Sequence, residues 1–376
     1  MIPVNEPLLS GNEARYVEEC LRTGWISSSG QFLERFEASW SQYCGRRFGI
    51  TVTNGSAALE VALQALELQP GDEVILPSFT IISCANAVVK AGATPVVVDC
   101  DPDTFTMDPA AASAAVSERT KAIMPVHLYG HPVEMDPILR LARELDLYVI
   151  EDAAEAHGAE YLSNDSGNPE WRRCGSFGDI STFSFFANKL VTTGEGGMVV
   201  TDNTMLAERC RSLRNLCFKA NRRFHHDELG HNLRLTNLQA AIGVAQVERI
   251  DEILARKRQM GALYTHLLCN VPGIRVQSVR EWARVNYWMY GIVLNDEVDF
   301  DAFTLAERLR NLGVETRPFF MGMHEQPALR NLGLFGKAHC PVTERLYRRG
   351  LYLPSGVAIT EEQIEASAAA LIRALS

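Results

Sequence analysis

Residues 178–199 read GDISTFSFFANKLVTTGEGGMV, and this stretch indicates both the fold and the chemistry. A run of β-branched and aromatic residues, typical of a buried strand, leads to Lys189. Gly194, Gly196 and Gly197 follow, and glycines let the backbone pass close to a bound group. A lysine in a partly desolvated site has a lowered pKa and becomes a nucleophile or base. Read alone, such a lysine is more often solvated, so the interpretation depends on the rest of the chain.

Upstream of this stretch, helix and strand patterns alternate. Apolar helical segments are predicted at 55–68, 82–91 and 135–145, and short β-branched strands at 73–76, 95–98, 122–126 and 147–150. This alternation predicts an α/β fold with a large domain, in which helices flank a mainly parallel central sheet.

The remainder of the chain predicts a second, smaller domain. A long helical pattern covers 236–268, and we place the boundary within it. Residues 1–248 then form the large domain and residues 249–376 a smaller C-terminal α+β domain, with a strand at 287–294. The polar stretch 162–175 (LSNDSGNPEWRRCG) is rich in turn formers and is interpreted as a surface loop.

Composition excludes several classes of function. The chain has 376 residues, 47% of them hydrophobic, and a formal net charge of −10, which argues against general nucleic-acid binding. Nine scattered cysteines without a C-x-x-C pair argue against a disulfide framework or a zinc site. No apolar run is long enough for a membrane span, and the N-terminus lacks the features of a signal peptide. We therefore expect a cytoplasmic protein.

Two further segments complete a candidate site. The strand at 147–150 runs into Asp152, and ligands of open α/β sheets bind at the carboxyl ends of strands. Asp152 could instead cap a helix from Ala153 onward. Gly55, Ser56 and Ala57 open an apolar helix whose N–H groups and dipole suit a phosphate, although an ordinary serine N-cap explains Ser56 alone.

Taken together, these segments predict pyridoxal phosphate (PLP) as the cofactor. The helix would hold the phosphate, Lys189 would form a Schiff base, and Asp152 would keep the pyridine nitrogen protonated, so that the ring acts as an electron sink.

Further segments carry a family resemblance, namely TGWISSSGQFLERFE (23–37), NGSAALEVAL (54–63), GDEVILPSFT (71–80), PVHLYGHP (125–132), IEDAAEAHGA (150–159), GHNLRLTNLQAAIG (230–243) and RPFFMGMHEQP (317–327). Together with 178–199, they make the chain resemble the DegT/DnrJ/EryC1/StrS family of sugar aminotransferases from about residue 2 to the C-terminus. The resemblance implies a fold-type I PLP-dependent aminotransferase that works as a homodimer with shared active sites.

The resemblance also implies roles for single residues. Lys189 and Asp152 are the catalytic pair. The implied cofactor-binding residues are Gly55, Ser56, Ala57, Ile81, Asp152, Glu155, Ser184, Lys189 and, near the neighbouring subunit's phosphate, Asn232. Two positions depart from the common pattern: Glu155 replaces a glutamine near the ring hydroxyl, and Ile81 replaces an aromatic ring over the cofactor face.

The tighter resemblance is to the branch of this family that aminates C4 of GDP-4-keto-6-deoxy-D-mannose, with L-glutamate as the amino donor. The stretches RNLCFKANRRFHHDELGHN (214–232) and FSFFANKLVTTGEGGM (183–198) are among those that carry it. UDP- or dTDP-linked 4-keto sugars and an eight-carbon keto-sugar acid stay open as substrates. The implied substrate-binding residues are Trp25, Ser27, Arg222, Arg223, Arg317 and His324.

One segment, 209–234, is strongly basic in this acidic chain. The excess fits an anionic partner such as a nucleotide diphosphate or the cofactor phosphate, and a solvated surface loop is the alternative. The resemblance implies that this segment crosses the dimer interface, so that Asn232, Arg222 and Arg223 serve the partner's site.

Two other functions compete with this interpretation. A PLP-dependent sugar dehydratase would share the fold, but the resemblance places a histidine at the lysine position of those enzymes, and Lys189 argues against it. A non-catalytic sensor or regulator could also retain the fold. The intact lysine, aspartate and phosphate cradle argue against such a loss of activity.

Overall fold

The computed structural model describes residues 1–219 and 221–376. Its helices are α1 (Glu13–Thr23), α2 (Gln31–Tyr43), α3 (Gly55–Ala65), α4 (Ser83–Lys90), α5 (Pro109–Ala114), α6 (Met135–Leu145), α7 (Thr204–Arg214), α8 (Asn237–Val247), α9 (Ile250–Leu268), α10 (Ala302–Asn311), α11 (Pro327–Arg330), α12 (Pro341–Arg349) and α13 (Glu361–Leu375). Its strands are β1 (Phe48–Val52), β2 (Glu73–Pro77), β3 (Thr94–Val98), β4 (Thr120–Ile123), β5 (Tyr148–Asp152), β6 (Glu160–Ser163), β7 (Glu170–Arg173), β8 (Ile180–Ser184), β9 (Gly197–Thr201), β10 (Ile274–Val276), β11 (Ala283–Arg284), β12 (Tyr290–Leu294), β13 (Arg317–Pro318) and β14 (Gly350–Leu353).

A seven-stranded sheet in the order β1-β9-β8-β5-β4-β2-β3 organises the N-terminal part. Neighbouring strands from β3 to β8 are parallel, whereas β9 runs antiparallel to both β8 and β1. Every side chain of β2 (EVILP) and β8 (ISTFS) is buried, as expected for strands that are covered on both faces. The α/β fold with a mainly parallel sheet is therefore confirmed.

Helix α3 is the element that brings the chain to the carboxyl edge of this sheet. It packs against β8 and β9, and its sequence GSAALEVALQA is buried along most of its length. Asn54 caps the helix, because its side-chain oxygen accepts a hydrogen bond from the Ala57 N–H at 2.8 Å. The cap fixes the point at which α3 starts beside the sheet.

A second, four-stranded antiparallel sheet in the order β10-β12-β14-β13 lies in the C-terminal part. Its core includes side chains of α9, α10 and α13. The chain's first residues join this part, since the Ile2 N–H donates to the Gly313 carbonyl at 2.7 Å. The domain division between residues 248 and 249 stays a prediction, and it falls in the connection between α8 and α9.

The single long helix suggested by 236–268 is wrong, because the structure has two helices there. Helix α8 begins with a capping box between Thr236 and Gln239 and ends at Val247. Arg249, with φ −118° and ψ 14°, leaves the helical conformation before α9 begins at Ile250. Apolar residues continue across the break, so hydrophobic periodicity did not reveal it.

Two other predictions need correction. The stretch 162–175 is not a plain loop, because β6 and β7 form an antiparallel hairpin that pairs with β11 in a three-stranded sheet. Its strands are short and partly exposed, so their polar residues resembled a loop. The strand predicted at 287–294 begins only at Tyr290, because Tyr287 has a φ of +52°, which is outside the strand region.

The nine cysteines are unbonded, and eight of them are buried. Within the described ranges, each helix is too short or too polar to cross a bilayer.

Candidate active site

The carboxyl edge of the central sheet brings the predicted residues together. Asp152 ends β5, and Ser184 ends the neighbouring parallel strand β8. The start of α3 lies against Ser184, since a Cβ added to Gly55 would come within 2.7 Å of the Ser184 Cβ. Lys189 follows in the turn between β8 and β9. A lysine, a carboxylate and a helix N-terminus that are distant in sequence thus lie at one edge of the sheet.

Asp152 is a buried carboxylate that has few partners. Oδ1 accepts a hydrogen bond from the Ala154 N–H at 3.0 Å, and Oδ2 accepts one from the Cys84 thiol at 3.3 Å. Lys189, whose charge favours the carboxylate form of Asp152, forms its ion pair with Glu155 instead. Burial raises the pKa of the carboxyl above its usual value. A cationic ligand atom beside Asp152 would stabilise its charged form, so the residue fits a protonated pyridine nitrogen.

The Lys189 side chain is only 10% exposed, contrary to the solvated alternative. Its Nζ lies 3.9 Å from Glu155 Oε1 and 3.7 Å from the centroid of the Trp288 indole. Burial lowers the pKa of the lysine, while the Glu155 and Asp152 carboxylates oppose that shift. A lowered pKa raises the fraction of neutral amine, which is the nucleophilic form.

Glu155 faces the same space as Lys189. Its Oε2 accepts a hydrogen bond from the Tyr129 N–H at 2.8 Å, and Tyr129 takes a left-handed conformation with φ 53°. Burial raises the pKa of Glu155. A carboxyl with a raised pKa can hold a proton near neutral pH, and it can then donate a hydrogen bond as the more usual glutamine would.

The start of α3 forms an anion cradle with two other elements. The Ser56 hydroxyl lies 2.7 Å from that of Ser83 at the start of α4, and Ser184 adds a third hydroxyl. Asn54, rather than Ser56, is the N-cap, so the Ser56 side chain is not used for capping. The Ala57 N–H donates to the Asn54 side chain, and its expected contact with the phosphate stays a prediction. The amides of the first helical turn and the three hydroxyls still suit a phosphate.

Two of the three glycines after Lys189 are packed closely against the protein itself. A Cβ on Gly196 would come within 2.2 Å of Thr193 Oγ1, and one on Gly197 within 2.3 Å of the Asn54 carbonyl oxygen. We expected these glycines to allow close approach to a bound group. Instead, Gly197 lets β9 approach the loop that precedes α3, which brings the lysine turn and the anion cradle together.

Behind the site, Glu151 and His127 form a fully buried pair, with Nε2 and Oε1 2.8 Å apart. Glu151 also accepts hydrogen bonds from the Phe177 N–H and the Ser181 hydroxyl, both at 2.9 Å. Although burial alone would raise it, the pKa of Glu151 falls to about 2, because the hydrogen bond and charge of His127, the Arg46 charge and the Gly175 N–H all favour the carboxylate. His127, Glu151 and Cys174 could together contact a metal, but the carboxylate is already occupied by protein donors.

The remaining predicted residues lie in different environments. Ile81 is 43% exposed and Trp25 is 58% exposed. Five further predicted residues are also exposed, namely Ser27, Arg222, Arg223, Asn232 and Arg317. His324 differs, because it is buried between the Ser78 hydroxyl at 2.7 Å and a Glu344 carboxylate oxygen at 3.2 Å. With both ring nitrogens engaged, His324 fits a support for the Ser78 loop better than a direct substrate contact.

Residues of the basic segment 209–234 line a cavity of about 830 Å³, and Lys189 is not among its lining residues. Several of its cations already have partners: Arg214 lies 2.6 Å from Glu37, and Arg209 lies 2.5 Å from Glu228. The basic residues that line the cavity are Arg211, Arg214, Lys219, Arg223 and Arg234. The segment therefore forms a concave basic surface.

Several site residues were missed by sequence analysis. Ser83 and Cys84 start α4, and Asn286 and Trp288 come from the C-terminal part. Ser83 could have been found as a hydroxyl at the start of the helix predicted at 82–91. No local pattern distinguishes Asn286 or Trp288, because their partners are about 100 residues away or more.

The fold and the site place the chain among the α/β aminotransferases. A solved structure of DesV from S. venezuelae, in complex with a ketimine intermediate, matches with a TM-score of 0.88 at 32% identity, over 97% of this chain and 94% of that one. The chain belongs to the DegT/DnrJ/EryC1/StrS aminotransferase family, whose model matches residues 7–372.

Named relatives cover nearly the whole chain. GDP-perosamine synthase of Caulobacter vibrioides is 45% identical over 376 residues, which is 100% of this chain and 98% of the relative. A putative pyridoxal phosphate-dependent aminotransferase of Bacillus subtilis, EpsN, is 33% identical over 369 residues, which is 96% of this chain and 92% of the relative.

Proposed function

We propose that the protein is a PLP-dependent aminotransferase that moves the amino group of L-glutamate to C4 of GDP-4-keto-6-deoxy-D-mannose, giving GDP-perosamine. The observation that carries the reaction type is the meeting of Lys189, Asp152 and the α3 anion cradle at one sheet edge. The full-length similarity to a GDP-perosamine synthase supports the choice of substrate. The expected cytoplasmic location stays a prediction.

The chain's own residues divide the work. When bound, PLP supplies an aldehyde carbon that accepts an amino group and a protonated ring that stabilises carbanionic charge. Lys189 would hold the cofactor covalently and, once released, carry a proton to and from the reacting carbon. Asp152 would keep its negative charge beside the ring nitrogen. Gly55, Ser56 and Ser184 would bind the phosphate. Because one site serves donor and acceptor in turn, ping-pong kinetics are expected.

A panel of sugars tests the proposed substrate. The holoenzyme is incubated with isotopically labelled glutamate and GDP-, UDP- or dTDP-linked 4-keto-6-deoxy sugars, or an eight-carbon keto-sugar acid, and the products are measured by mass spectrometry. We expect label in the GDP-linked sugar, with 2-oxoglutarate formed in equal amount. Preferential labelling of another sugar would replace the proposed substrate and keep the reaction type.

The visible absorption of the bound cofactor distinguishes an enzyme from a sensor or regulator. A regulator that only binds PLP would show the visible absorption band of the bound cofactor, and glutamate would leave that band unchanged. For an aminotransferase, we expect glutamate alone to bleach the band and an accepted keto sugar to restore it.

We propose further that two chains build each active site. Ile81, Ile82 and Phe186 follow the ends of β2 and β8 near the site, and each is at least 38% exposed, so a second copy could cover them. Asn232 is also exposed in the single chain, although its backbone forms an antiparallel bridge with Asn215. An exposed polar side chain beside a basic surface suits a contact with a partner's phosphate.

Mixing two inactive variants tests this shared site. Lys189→Ala and Asn232→Ala chains are allowed to exchange. If Asn232 acts in trans, each heterodimer has one site with both lesions and one with neither, so about a quarter of all sites recover after random exchange. The assay requires that Asn232→Ala is impaired alone and that mass measurements show exchange. Exchanged chains without recovered activity would contradict the shared site.

A further inference from the structure

Trp288 touches the site although it belongs to the C-terminal part of the chain. Its side chain is 4% exposed, and its indole face lies 3.7 Å from Lys189 Nζ, measured to the ring centroid. The indole N–H donates to the Asn188 carbonyl at 2.8 Å. The same residue thus holds both the lysine's amine and the backbone just before the lysine.

The backbone of Trp288 is fixed on both sides. Its N–H donates to the Asn286 side-chain oxygen at 2.8 Å, and its carbonyl accepts from Lys257 Nζ at 3.1 Å. Lys257 is fully buried and also donates to the Ser355 carbonyl. Between them, Tyr287 takes a left-handed conformation with φ 52°, which is uncommon for a bulky residue. These hydrogen bonds hold Trp288 at a fixed position beside the lysine turn.

Asn286 connects this segment to the turn that follows Asp152. Its side-chain amide donates to the carbonyls of Glu155 and His157, both at 3.0 Å. Its oxygen also packs against Gly130, where an added Cβ would come within 1.8 Å. Residues 286–288 therefore clamp the two turns that carry the site's ionisable groups.

We propose that Trp288 is a positioning residue for Lys189, and that its indole face is the resting site of the amine whenever the lysine is not covalently bound. The proposal rests on the assignment of Lys189 as the cofactor lysine. A lysine that leaves the cofactor in each half-reaction needs a defined place from which to return. An indole face attracts an ammonium group, and the attraction is larger where water is excluded.

The charged groups around Lys189 set the direction of the expected effect. Glu155 and Asp152 favour the ammonium form of the lysine, whereas burial and a proton on His157 would disfavour it. The Trp288 face adds a further attraction for the ammonium. Loss of the indole should therefore lower the pKa of Lys189, so that the amine becomes reactive at a lower pH.

The test measures Lys189 itself in cofactor-free protein. A small amine-selective reagent labels the protein across a range of pH, and mass spectrometry of the Lys189 peptide gives the midpoint of its reactivity. We expect Trp288→Leu to lower the midpoint by about one pH unit and Trp288→Phe to lower it by less, because a phenyl face binds cations more weakly. The matched control is Trp171→Leu, which removes an indole 3.9 Å from Arg284 outside the site.

An unchanged midpoint in folded Trp288→Leu would overturn the proposal, and so would an equal shift in Trp171→Leu. If the leucine variant does not fold, Trp288→Phe decides by the same criterion. Because the labelling uses neither cofactor nor substrate, such a result would not bear on Lys189 as the cofactor lysine. That assignment fails only if the cofactor is found on another residue.

Discussion

Lys189→Ala is expected to lose transamination by about four orders of magnitude or more. The substitution removes both the nucleophile that holds the cofactor and the amine that moves the proton, and each role contributes strongly to rate. The Lys189 side chain is only 10% exposed and lies beside Glu155 and Trp288, so the substitution removes the amine from a largely buried site. Steady-state production of 2-oxoglutarate with the preferred sugar measures the loss.

Lys121→Ala is the matched control for this prediction. Lys121 lies on β4 of the same sheet, but its side chain is exposed to solvent. We expect this control to keep activity within about twofold of the wild type, since surface substitutions have small effects. A folded Lys189→Ala protein that retained more than a small fraction of activity would contradict the catalytic role.

Asp152→Asn is expected to lower the rate by roughly two to three orders of magnitude, while the protein still folds. The amide has the shape of the carboxyl, but it cannot stabilise a positive charge on the ring nitrogen. The effect should be large because Asp152 is 2% exposed, where water screens the charge poorly. Single-turnover bleaching of the cofactor band by glutamate measures the step that depends on that charge.

Asp179→Asn provides the comparison for Asp152→Asn. Asp179 lies directly before β8 and is exposed, and its carboxylate accepts a hydrogen bond from the Val149 N–H at 2.8 Å. We expect only a small change in rate, because this carboxylate lies away from the carboxyl edge. A near-wild-type rate in Asp152→Asn would show that its charge does not serve the reaction.

The parts of the site that lie on one continuous strand and turn could be predicted from the sequence. Asp152 and Lys189 each follow a run of buried strand residues, and parallel strands deliver their ends to one edge. The helix at Gly55 was likewise indicated by its apolar sequence. In these cases the apolar sequence pattern predicts the strand or helix, and burial of the same apolar side chains in the core also sets where that element lies.

Contacts between distant segments could not be predicted in this way. Trp288 contacts Lys189 because Tyr287 interrupts the strand pattern and reorients the chain, which no periodicity indicates. The burial of His324 depends on Ser78 and Glu344, which are far from it in sequence. The glycines after Lys189 were expected to let the backbone pass close to a bound group, but the nearest neighbour of a Cβ on Gly197 would be the Asn54 backbone. Each of these outcomes depends on how separate elements pack.

The most direct test of the central claim is to locate the cofactor on the chain. The PLP-loaded protein is reduced with borohydride and digested, and the peptide that carries the pyridoxyl group is identified by mass spectrometry. The strongest competitor for Lys189 is Lys257, whose amine is also buried and whose pKa burial lowers to about 7. We predict the group on Lys189 alone. Its recovery on Lys257 or any other lysine would contradict the proposed active site.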